Sequence, residues 1–197
     1  IAYTTQRQEK APSAAVSVLV QKGKKSKAVW RPLQDGESLS SADNYRIVFQ
    51  PEDLSYFYVF QIDSTGKLDW LYPKNRTLPY SIGTNPVGPG RWVQLPGERE
   101  AFHLDENKGV EHLYVVATHA QWIKLEESLA KAAKRAKAIP VKASLNLKTR
   151  GVGGMRFVEA PLPNEIKASK DVSQLIGGKD GVLVVEKWFR HVAQEHQ

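Results

Sequence analysis

No cysteine occurs in this chain of 197 residues. That excludes disulfides, zinc–thiolate sites and a thiol nucleophile, and it is compatible with an exported bacterial protein. No apolar run approaches the roughly 20 residues that a membrane helix needs. No stretch reads as a secretion signal. The chain begins at Ile1 and not at Met, so we expect that an upstream segment was removed or not included. There is no Gly-x-Ser-x-Gly context for a serine nucleophile. Gly151-Val-Gly-Gly154 does not open a helical pattern, so a dinucleotide fingerprint is excluded. Gly177-Gly-Lys179 is followed by Asp180, where a phosphate loop needs Ser or Thr.

What the chain does have is positive charge and many short strands. The formal net charge is +7 and the isoelectric point near 9.5. Such a surface attracts anionic partners, although lysines also serve simply to keep a protein soluble. Part of the charge is clustered, at Lys22, Lys24, Lys25 and Lys27 and again at Lys131, Lys134, Arg135 and Lys137.

Between residues 44 and 117, β-branched and aromatic runs alternate with turn residues, the pattern of an antiparallel β fold. Strands are expected at 15–21, 45–50, 56–62, 68–72, 92–95, 101–104 and 111–118, with 39–43 as a short polar approach. Along 56–62, Tyr56, Tyr58, Phe60 and Ile62 share one face while Phe57 and Val59 share the other. A strand apolar on both faces lies inside a sheet. Asp63-Ser-Thr-Gly66 forms the following turn, and Leu68, Trp70 and Tyr72 are expected on one face of the return strand.

The period then changes. Trp122, Leu125, Leu129 and Ala136 recur at helical spacing over 121–138, and Pro140 ends the helix. A strand at 141–147, a loop at 158–171 and a last strand at 182–189 follow, the last with Leu183, Val185 and Phe189 on one face. The expectation is a mainly β protein, an antiparallel sandwich or partly closed barrel, with one principal helix near 121–138. Residues 1–13 read as a flexible arm and 14–197 as a single β-rich domain.

Candidate functional residues are few. The loop 74–91 is rich in proline and glycine and is surrounded by Trp70, Tyr72, Tyr80 and Trp92, with Arg76 and Arg91 nearby. Aromatic and arginine side chains often carry interface energy, and the same rings could stack on sugars. Alternating Trp and Tyr in strands also serve as ordinary packing residues. Nucleic acid is not expected, because no recognised nucleic-acid motif accompanies the loop. His103 and Asp105 share a face in an extended reading and could pair as a catalytic dyad. His112 and His119 face opposite ways, and His191 and His196 have no partner at metal-ligand spacing. No metal or cofactor is expected.

The order of Asp43-Asn-Tyr-Arg-Ile47, Ser55-Tyr-Phe-Tyr-Val-Phe-Gln-Ile-Asp-Ser-Thr-Gly66, Leu71-Tyr-Pro73, Val93-Gln-Leu-Pro96 and Glu111-His-Leu-Tyr-Val-Val-Ala117 resembles a bacterial family, domain of unknown function 4384. The resemblance covers residues 35–120 and departs from the family pattern at Ala42, where glycine is usual. It implies an accessory module of exported envelope proteins and lipoproteins, and it transfers no catalytic residue. The expected function is therefore a non-catalytic accessory or assembly protein of the bacterial envelope, outside the cytoplasm and lipid-anchored through a segment not in this chain. Its partners would be other envelope proteins. The alternatives are a module that binds a carbohydrate or anionic polymer at residues 70–92, and a hydrolase using His103 and Asp105.

Overall fold

The computed structural model describes residues 10–23, 29–73, 84–105, 107–136, 172, 174–177 and 179–193. The expected strand 141–147, the loop 158–171, and most of the arm and of the 22–27 basic turn lie outside them. The elements run β1 (Ala14–Gln21), β2 (Arg31–Pro32), β3 (Glu37–Ser40), β4 (Asn44–Pro51), β5 (Tyr56–Ile62), β6 (Leu68–Tyr72), β7 (Val93–Leu95), β8 (Phe102–His103), β9 (Gly109–Thr118), α1 (Ile123–Ala136) and β10 (Leu183–Val192).

Two sheets and the helix stack in three layers. The first sheet has the order β2-β1-β4-β7, with β8 also on β4; the second has β3-β10-β9-β5-β6. Period-two alternation sorts each strand's side chains into the layers. Val18 and Val20, Tyr45, Ile47 and Phe49, Phe57 and Val59, and Leu113, Val115 and Ala117 fill the space between the sheets. Tyr58, Phe60 and Ile62 of β5 point the other way, with Tyr114 and Val116 of β9, against Trp122, Leu125, Leu129 and Ala132. Both faces of β5 are thus buried, and the helix docks through the residues its period assigns to it. Each fully buried large side chain contributes about 1.5–3 kcal/mol of transfer free energy.

Local chemistry sets the turns. The Asp63 carboxylate accepts the backbone N–H groups of Thr65 at 2.8 Å and Lys67 at 2.9 Å, while Gly66 supplies φ +83°. This closes the β5–β6 hairpin.

Two expectations need correction. Leu68, Trp70 and Tyr72 do not share a face. A register shift pairs Val59 with Tyr72 but Phe60 with Trp70, so β6 carries a bulge at Leu71. The extra residue sends Leu68 and Trp70 to the helix side and Tyr72 into the core between the sheets. Residues 37–40 form a strand and are not merely a polar approach. That strand runs parallel to β10, with Phe189 opposite Glu37 and Val192 opposite Ser40, so the second sheet is mixed.

Candidate functional site

The aromatic residues around the 74–91 loop fall on different surfaces. Tyr72 is 1% exposed, packs edge-on to Phe49 and donates its hydroxyl to the Thr84 carbonyl at 2.9 Å. Burial raises its phenol to about 12. Trp70 lies half-buried on the helix side and donates its indole N–H to the Tyr72 carbonyl at 2.8 Å. Trp92 is 57% exposed, and Arg91 beside it donates to Thr84 Oγ1 at 3.1 Å. Arg76 and Tyr80 lie outside the described residues. The end of this loop is held to the sheets: Asn85 accepts from and donates to the Phe57 backbone at 2.9 and 3.0 Å, and Gln50 donates to the Gly90 carbonyl at 2.7 Å. Trp92 and Arg91 remain as the accessible pair.

His112, His119 and His191 take side-chain or backbone partners. His103 ends β8 opposite Asn44, whereas Asp105 lies beyond the strand and accepts the backbone and side-chain N–H of Asn107 at 2.8 and 2.9 Å. A shared strand face for the two is therefore corrected, because β8 stops before Asp105. His119 lies 3.0 Å from Asp53. Burial acts to raise the Asp53 carboxyl, but His119, Ser55 and Ser13 together hold it below the ordinary range. His191 is buried, with Nδ1 2.6 Å from the Asn107 carbonyl. Among the described residues no cluster of His, Asp and Glu is arranged to hold a metal ion.

Two polar constellations were not foreseen. On the helix side, Glu186 Oε1 lies 2.8 Å from His112 Nδ1 and accepts the Tyr114 hydroxyl at 2.9 Å. Between the sheets, Glu111 is 2% exposed and accepts Gln61 Nε2 at 3.0 Å, while Tyr45 donates to the other end of the same amide. The alternation of β9 could assign each residue a face. It could not say that β10, 74 residues away, would bring Glu186.

A further surface runs along one flank of the sandwich. β2 pairs with β1 only at Leu19 and Val20, and β3 pairs with β10 only at 189–192. Among the described residues, Leu183, Val184, Val185, Glu186 and Lys187 have no strand partner on the side away from β9. Ala14, Val16 and Ser17 of β1 have none away from β4. Ala14, Val16, Leu183 and Val185 pack on the inner core but stay partly exposed.

The other end of that flank is closed by charge. Arg31 pairs with Glu37 and lowers its carboxyl, and Lys22 approaches Glu37 at 3.5 Å and Asp43 at 3.4 Å. Asp43 also accepts the backbone N–H of Gly23 at 2.7 Å and Ser40 at 2.8 Å. Burial acts to raise that carboxyl, yet these donors hold it low. Among the described residues, the flank thus has unpaired strand edges at one end and ion pairs at the other. No described helix is long and apolar enough to cross a membrane.

No curated protein and no solved structure matches the chain. Residues 40–121, from the end of β3 to the approach of α1, match the model of the family described as Domain of unknown function (DUF4384), and this part of the chain is similar to that family.

Proposed function

We propose that this chain is a non-catalytic accessory or assembly module of the bacterial cell envelope, working outside the cytoplasm by protein–protein recognition. The observation that supports this most is the half-open flank. An extended partner segment laid along 183–187 of β10 would satisfy backbone groups through a new ladder, and its alternate side chains would cover Leu183 and Val185. An edge left open in this way is a ready template for strand addition. Both flanking strands, β1 and β10, lie outside the family-matched residues, so the surface is an elaboration on the shared core.

The test places a photo-crosslinking amino acid at Val184, and a control at the exposed Arg99, in cells of an envelope-bearing host. The expected result is one dominant envelope adduct at Val184, mapped to an extended segment, and its loss in a Val185→Lys background whose melting temperature is unchanged. Equal adducts at Arg99, or adducts indifferent to Val185→Lys, would overturn the reading.

A second reading, a module for a carbohydrate or anionic polymer, is favoured by Trp92 standing exposed beside Arg91. It expects Trp92→Ala to lose retention on immobilised cell-wall glycan. Unchanged retention removes it.

A further inference from the structure

Glu111 occupies an unusual place for a carboxyl group. It lies on the inner face of β9, opposite Phe189 of β10, and is sealed from solvent. Among the described residues its donors are neutral: Gln61 Nε2, and the backbone N–H of Ser64 in the β5–β6 turn. The Gln61 oxygen in turn accepts the hydroxyl of Tyr45, which belongs to the opposite sheet and stacks on Phe102 at 5.0 Å. One carboxyl therefore links β9, β5, the hairpin turn and, through an amide, β4.

Among the described residues, the charges that act on it oppose its ionisation. Asp63 of the turn and Asp105 of the β8–β9 segment both oppose a negative charge at Glu111. Lys67 is engaged by Asp69 at 2.7 Å, and His191 by the Asn107 carbonyl. The segment is also tight: a Cβ on Gly109 would collide with Ser64 Cβ, and Ser64 donates its hydroxyl to the Lys108 carbonyl at 2.8 Å. The hairpin turn and the start of β9 thus close over the carboxyl together.

We propose that Glu111 is a proton-held latch: in its neutral form it fastens this end of the sandwich, and its ionisation releases the 63–66 turn and the 107–110 segment. Burial first, then Asp63 and Asp105, raises the carboxyl to about 8, so the event falls in mildly alkaline conditions. A folded value above the unfolded one gives stability that is complete below the unfolded value of about 4.3 and lost as pH rises through the folded value. An open state with an ordinary carboxyl then gains roughly tenfold in population between about pH 7 and about pH 9.

Amide hydrogen exchange of the whole chain, normalised for its intrinsic pH dependence, tests this over the same range. The expected result is roughly tenfold faster exchange at 63–66 and 107–110 in the wild type, and a flat profile in Glu111→Gln. A second variant, Asp63→Asn with Asp105→Asn, removes the two opposing charges and should move the transition to lower pH. This keeps the proposal open to refutation even where Glu111→Gln fails to fold. Flat exchange in the wild type overturns it. So does an unmoved transition in the double variant.

Discussion

The hydroxyl of Tyr58, on β5 of the second sheet, accepts the backbone N–H of Trp122 at 2.7 Å. Trp122 is the residue whose carbonyl receives the first N–H groups of α1, from Leu125 and Glu126. One phenol thus fixes where the helix starts and where it sits on the sheet. Tyr58→Phe leaves the ring in place and a buried donor unpaired. Thermal and urea unfolding should show a loss of about 1–3 kcal/mol. A change near zero would mean that the hydrogen bond does not position the helix.

Phe60 stacks on Tyr114 at 5.0 Å and is fully buried beneath α1. Phe60→Ala should destabilise by about 3–5 kcal/mol in urea titration, from lost transfer energy plus the cavity left behind. A loss under about 1 kcal/mol would place this strand at the periphery of the fold.

Gly109 has φ +141°, and a Cβ added there would collide with the Ser64 side chain. Gly109→Ala should therefore suffer twice, from the backbone conformation, at about 1–3 kcal/mol, and from the contact. Adding Ser64→Gly should recover only the contact part. Full recovery in the double variant would show that the backbone conformation carries no strain.

Asp43 is held ionised by the N–H groups of Ser40 and Gly23 and by Lys22. A depressed carboxyl contributes stability that is present above the unfolded value, about 3.9, and lost as pH falls through the folded value. Asp43→Asn should lower stability by about 1–3 kcal/mol at neutral pH and flatten the acid limb of the stability curve. Parallel acid limbs in variant and wild type would count against this role.

Much of the fold is legible in short stretches of the chain. The two faces of 56–62, the turn at Asp63-Ser-Thr-Gly66 and the stripe of Trp122, Leu125 and Leu129 are local properties, set by the fixed periods of strand and helix and by one side chain capping its own turn. They determined a β-rich sandwich carrying a helix. Tertiary structure alone decided what depends on which strand edges meet. The bulge at Leu71 turned Tyr72 inward, so an expected member of a surface platform became core. The pairing of β9 with β10 set Glu186 against His112, and the closure of a hairpin over Glu111 buried a carboxyl that alternation by itself would merely have assigned to a face. The strand edges left unpaired among the described residues have the same origin. Whether a strand edge is covered depends on the lengths and registers of other strands, β2 and β3, and no pattern within β1 or β10 encodes those.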